Sequence, residues 1–177
     1  PALLITPLVA IFGLAASDVW LTIFFAALNG ALAYQLCLQV IQSRRRGWIK
    51  TDHNETDNSE TDDVLLHQEQ REALWLAVSL SLGTAHFWCA VRGEVWFTAL
   101  IIGVSCQLLF FRWAWGLRRP ILAGLAYACA FSTRASLITL ALFVYLQVFT
   151  DKLSLRERLY KLTLFSLPPL AIGLVLL

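Results

Sequence analysis

Long apolar runs parted by short polar clusters organise the chain. The first, Val19 to Ile41, extends 23 residues without a formal charge. At about 1.5 Å per residue that crosses a hydrocarbon core of about 30 Å. Ala73 to Val91 and Val95 to Phe111 follow, joined by the outer turn 92–95, Arg92-Gly93-Glu94-Val95. Two shorter runs, Ile121 to Thr133 and Ala135 to Phe149, are separated only by Arg134. A last run, cut short, covers 162–177, with Pro168-Pro169 expected to kink it. The pattern predicts an all-α fold: a polytopic transmembrane helical bundle with spans at 19–41, 73–91, 95–111, 121–133, 135–149 and 162–177.

Two stretches read differently. Residues 1–18 are apolar but interrupted by Pro7 and Gly13, which suits an outer-face interfacial helix or a partial membrane helix. Residues 42–71 contain a degenerate five-residue repeat, Thr51-Asp52-His53-Asn54-Glu55, Thr56-Asp57-Asn58-Ser59-Glu60 and Thr61-Asp62-Asp63. This acidic stretch has no apolar face to bury, so a largely disordered cytoplasmic loop is expected. Its Asn54-Glu55-Thr56 sequon would then be silent.

Orientation follows from the basic residues. Arg44, Arg45, Arg46 and Lys50 follow the first span, and Arg112, Arg118 and Arg119 follow the third. Lys152, Arg156, Arg158 and Lys161 occupy the loop 150–161. Positive charge marks the cytoplasmic side, and all three clusters share it only if the chain turns back near Arg134. Each leg of that reversal is short, about 20 to 23 Å. The turn would therefore sit below the outer surface, flooring an outward-open recess with an arginine. Trp20, Trp88 and Trp96 fall at outer ends of spans, and Trp48, Trp75, Trp113 and Trp115 at inner ends.

Composition sharpens the class. The 177 residues are 58% hydrophobic and 15% charged, against about a quarter charged in soluble domains. That excludes a soluble enzyme, a nucleic-acid binder and a disulfide-rich secreted module, and the net charge of +2 favours no partner. The chain opens on Pro1, contains no Met and stops at Leu177 within an apolar run, which predicts an internal piece of a longer membrane protein. Cys37, Cys89, Cys106 and Cys129 lie in apolar runs without metal-type spacing and read as small buried hydrophobes.

Chemistry must come from few groups: Asp18, His86, Arg92, Glu94 and Arg134. A guanidinium at the depth of Arg134 suits a phosphate or carboxylate; its alternatives are snorkelling to headgroups or pairing with a helix carbonyl. Glu94 could hold a divalent cation, orient a sugar hydroxyl or move a proton, or simply pair with Arg92. His86 is either a hydrogen-bonded helix residue or a ligand. Asp18 reads as a helix cap.

The order of segments resembles a known family. An apolar Pro-containing segment ends in Ile11-Phe12-Gly13, the first span ends in Arg44-Arg45-Arg46, and a short acidic turn, Val91-Arg92-Gly93-Glu94-Val95, follows the second. Then comes Leu122-Ala123-Gly124-Leu125-Ala126-Tyr127-Ala128-Cys129-Ala130-Phe131-Ser132-Thr133-Arg134. This is similar to the integral-membrane GT-C glycosyltransferases, in the branch of protein mannosyltransferases and aminoarabinose transferases. The resemblance implies a fragment of a larger GT-C-like membrane domain in a multi-pass protein of the bacterial inner membrane. It implies transfer of a sugar from a polyprenyl-phosphate donor to a lipid, glycan or protein acceptor at the outer face. The main catalytic carboxylate is then expected upstream of Pro1. Glu94 matches an acidic position of the second outer turn, with a catalytic or cation-holding role, and Arg134 matches a Lys/Arg after the Thr. Arg134, Arg92 and His86 are the substrate-binding candidates. No cofactor is implied beyond a possible divalent cation. The pattern departs at Ser17-Asp18-Val19, where relatives carry an Arg, and in the long acidic insert, so no role passes to Asp18. A transporter or flippase segment, or a non-catalytic membrane scaffold, is the alternative.

Overall fold

The computed structural model describes Ala10 and residues 18–49, 59–92, 95–117, 119–150 and 154–176. All secondary structure among the described residues is helical. Helix α1 (Asp18–Ile49) carries the first apolar run and continues through the basic cluster beyond it. Helix α2 (Ser59–Leu82) begins inside the stretch expected to be a disordered loop. The run from Leu65 to Leu76 is rich in helix formers. The expected loop 42–71 is thus helical over 42–49 and 59–71, and residues 50–58 lie outside the described ones. So do residues 1–9 and 11–17, on which the expected interfacial helix falls.

The run expected as one span, 73–91, is broken. Helix α3 (Ala85–Arg92) leaves α2 at 54°. The Gly83 amide donates to the Ser79 carbonyl at 2.9 Å, and a β-carbon at Gly83 would lie only 2.7 Å from that oxygen. The Thr84 hydroxyl donates to the Leu80 carbonyl (2.6 Å) and accepts from the His86 amide (3.2 Å), closing one helix and capping the next.

Helix α4 (Val95–Ala114) runs into a 3-10 turn, Trp115–Leu117, where Gly116 takes φ 68°. The chain then enters α5 (Pro120–Thr133), with Pro120 in the first turn, where its missing N–H costs nothing. Arg134 is extended, and a second 3-10 turn, Ala135–Thr139, leads into α6 (Leu140–Thr150). Helix α7 (Leu155–Leu176) completes the described chain. By length and hydropathy α1 and α4 can each cross a membrane, and α2 with α3 makes a third span if the bent pair is counted as one.

Side-chain pairs give the directions. Thr22 meets Thr98 and Asn29 meets Ser105, each pair 76 residues apart, so α1 and α4 run parallel. Phe110 packs on Tyr127 while Gly103 faces Thr133, so α5 runs back along α4. The Tyr127 hydroxyl reaches the Ile138 carbonyl (3.5 Å). The Gln147 amide nitrogen donates to the Ala114 carbonyl (2.6 Å) and its oxygen accepts from the Gly116 amide (3.1 Å). Helix α6 therefore retraces the length of α5 toward its start. An aromatic core of Phe110, Tyr127 and Phe165, flanked by Phe111 and Phe143, joins α4, α5, α6 and α7.

Polarity is inverted relative to a water-soluble bundle. Thr22, Asn29, Thr98 and Ser105 are buried, while Trp20, Trp96 and Leu174 are 75%, 81% and 78% exposed. Outward apolar side chains over an inward polar seam suit a lipid solvent, where helices associate through small and hydrogen-bonding residues. Arg45 and the buried Glu69 pair at 3.6 Å between α1 and α2 at the end of that layer.

Candidate functional site

Arg134 is placed by the end of α5. The Ser132 and Thr133 hydroxyls bond back to the carbonyls of Ala128 (2.8 Å) and Ala130 (2.6 Å), competing with continuation of the helix. Thr133 also lies against Gly103, which is eight residues past Val95 on α4. Helix α5 therefore stops about 12 Å short of the N-terminal end of α4. The Arg134 amide donates to the Ala130 carbonyl (3.2 Å), and its carbonyl accepts from the Leu137 amide (3.1 Å). Its side chain is exposed, and among the described residues no hydrogen bond or ion pair engages the guanidinium.

On the other face of α4, at the same height, lies a polar seam. The Asn29 amide nitrogen donates to the Ile101 carbonyl (2.9 Å) and meets His86 Nε2 at 3.0 Å, while Ser105 donates to Asn29 Oδ1 (2.6 Å). The Ile101 carbonyl can only accept, so the amide presents its NH2 there and to His86. The neutral imidazole then accepts at Nε2 and carries its proton on Nδ1. His86 is thereby committed to holding α3 against α1 and α4, and the Ser81 backbone also lies within hydrogen-bond reach of its ring. A separate Thr22–Thr98 hydroxyl pair, 2.6 Å apart, joins the same two helices nearer their N-termini.

Arg92 closes α3 with its guanidinium 5.3 Å from the centre of the Trp88 ring. Glu94 lies outside the described residues, as does the Asp18 side chain, although Asp18 is the first residue of α1. No hydrogen bond or ion pair among the described residues joins Arg134 to His86 or Arg92. Among the described residues no group of three or more His, Cys, Asp or Glu could hold a metal ion. The cysteines depart from the expectation of burial: Cys37, Cys89 and Cys106 are half-buried and Cys129 is exposed.

Asn29, Ser105, Thr22 and Thr98 were not among the candidates drawn from charge. A signal for them exists: Thr22 and Asn29 are seven residues apart in one apolar helix, and Thr98 and Ser105 are seven apart in another. Two turns of spacing puts each pair on one face, and matched faces pair. Comparison of the chain with family models, with characterised proteins and with solved structures finds no match.

Proposed function

We propose that this chain is part of a multi-pass GT-C-type glycosyltransferase of the bacterial inner membrane. It transfers a sugar from a polyprenyl-phosphate donor to a lipid, glycan or protein acceptor at the outer face. The observation that supports this most is the exposed Arg134 side chain, whose guanidinium no described residue engages, at a reversal that stops short of the end of α4. With the three basic clusters in the cytoplasm, the reversal points outward and ends below the outer surface. A donor phosphate at that level meets the Arg134 guanidinium, which stabilises the charge left on it as the bond from sugar C1 to oxygen breaks. The acceptor hydroxyl attacks C1 and gives its proton to a carboxylate expected upstream of Pro1. Glu94, with Arg92, orients the acceptor or holds a divalent cation at the rim. His86 acts at a distance, by fixing α3 through Asn29.

The test is transfer from radiolabelled polyprenyl-phosphate sugars in membranes carrying the full protein. Transfer that fails with Arg134→Ala supports the reading. Movement of the donor between leaflets without transfer assigns a flippase, and no turnover of either kind leaves a scaffold.

A further inference from the structure

The register of α4 against α5 has a consequence outside the proposed site. Gly103 opposite Thr133 and Phe110 opposite Tyr127 bracket a third antiparallel pair, Cys106 and Cys129. Their side chains come within interacting distance of one another across this seam. Both are unbridged, and Cys129 is exposed on its outer side. The seam is tight because small residues line it: Gly103 faces it from α4, and Ala123, Ala126 and Ala130 are buried on α5. Close backbones bring facing β-carbons into the range a disulfide requires.

We propose that Cys106 and Cys129 form a convertible dithiol, a modification site at which oxidation cross-links α4 to α5 close to the Arg134 turn. The oxidant is a disulfide, of a small molecule or of a protein. One cysteine, as thiolate, attacks a sulfur of that disulfide and expels one thiol. The second cysteine attacks the resulting mixed disulfide at the protein sulfur and expels the other thiol. Two cysteine thiols become one disulfide, and the two protons and two electrons leave on the two thiols released. Cys129 is five residues before Arg134, so the bond would tie down the helix end that carries it. The inference stands on the register of α4 against α5, which sets the two cysteines opposite one another, and does not depend on sugar transfer.

The experiment uses membranes carrying the full protein, oxidised with a membrane-permeant aromatic disulfide, then denatured, alkylated and analysed as peptides. A Cys106–Cys129 linkage, reversed by dithiothreitol and lost in Cys106→Ser and in Cys129→Ser, is expected. A Gly103→Cys, Thr133→Cys variant of the Cys106→Ser, Cys129→Ser chain reports oxidant access to the same seam. If that pair links while the native Cys106 and Cys129 stay fully alkylated, the proposal is overturned. Linkage of either native thiol to Cys37 or Cys89 instead also overturns it.

Discussion

The Thr133 hydroxyl sits against Gly103: a β-carbon on Gly103 would lie 3.0 Å from Oγ1 and 3.8 Å from Cβ of Thr133. The contact sets the height of Arg134, because the next residue leaves the helix. Thr133 has little freedom to yield, since its hydroxyl is held at 2.6 Å by the Ala130 carbonyl. Gly103→Val should therefore lower stability by about 1–3 kcal/mol through overpacking. Adding Thr133→Ala should restore part of that loss, measured by thermal unfolding of the full protein in detergent. Equal losses in the single and double variants would separate the two residues.

A closer approach joins α5 to α7. Pro169 has no N–H to offer the Phe165 carbonyl, and a β-carbon on Gly124 would run into that same oxygen. Because the obstacle is backbone, it cannot swing aside. Gly124→Ala should cost about 3 kcal/mol, while Gly173→Ala, with open space around it, should be neutral or slightly stabilising. The same unfolding assay compares them, and similar behaviour of the two variants would refute the close approach.

The Asn29 seam predicts coupling. Asn29→Leu takes a donor from the Ile101 carbonyl and an acceptor from Ser105, although Ser105 retains a 3.2 Å bond to that carbonyl. A double-mutant cycle between Asn29→Leu and Ser105→Ala should give a coupling of about 0.6–1.7 kcal/mol. Strict additivity would mean that the bond contributes nothing net.

Helix α7 starts with a capping box. Glu157 accepts from the Ser154 amide (3.1 Å) and hydroxyl (3.0 Å), and the Ser154 hydroxyl accepts from the Glu157 amide (3.4 Å). The Ser154 amide first, then its hydroxyl, holds the Glu157 carboxyl below its ordinary value of 4.5. A lowered folded-state value means that the stabilisation is present above the ordinary value and is lost as pH falls through the lowered one. Amide exchange at 155–158 should accelerate across that acid window beyond its intrinsic pH trend, and Glu157→Gln should flatten the response. A wild-type profile identical to that of the variant would contradict the cap.

Some of this was legible in the chain. Apolar runs too long and numerous for one soluble core gave an all-helical, lipid-facing protein, and the lone charge between two apolar runs drew attention to Arg134. What charge and run length could not reveal was local or between helices. Gly83-Thr84 breaks a run that averages as one span, because a hydroxyl and a missing β-carbon act over a single turn. The α2 start at Ser59 was hidden because composition weighs the acidic stretch apart from the helix-forming run at 65–76 that it leads into. Asn29 and Ser105 carry no charge, and only their matching seven-residue spacing with Thr22 and Thr98 betrays them. Cys106 and Cys129 come to face one another only through the packing of two helices, which spacing along one chain does not report.

The central claim is that Arg134 receives a lipid phosphate. Binding of polyprenyl monophosphate to the full protein in nanodiscs, followed by native mass spectrometry or calorimetry, tests it most directly. The account predicts saturable binding that weakens at least about tenfold, roughly 1.4 kcal/mol, in Arg134→Ala, with Arg134→Lys in between. Unaltered affinity in a folded Arg134→Ala protein would contradict it.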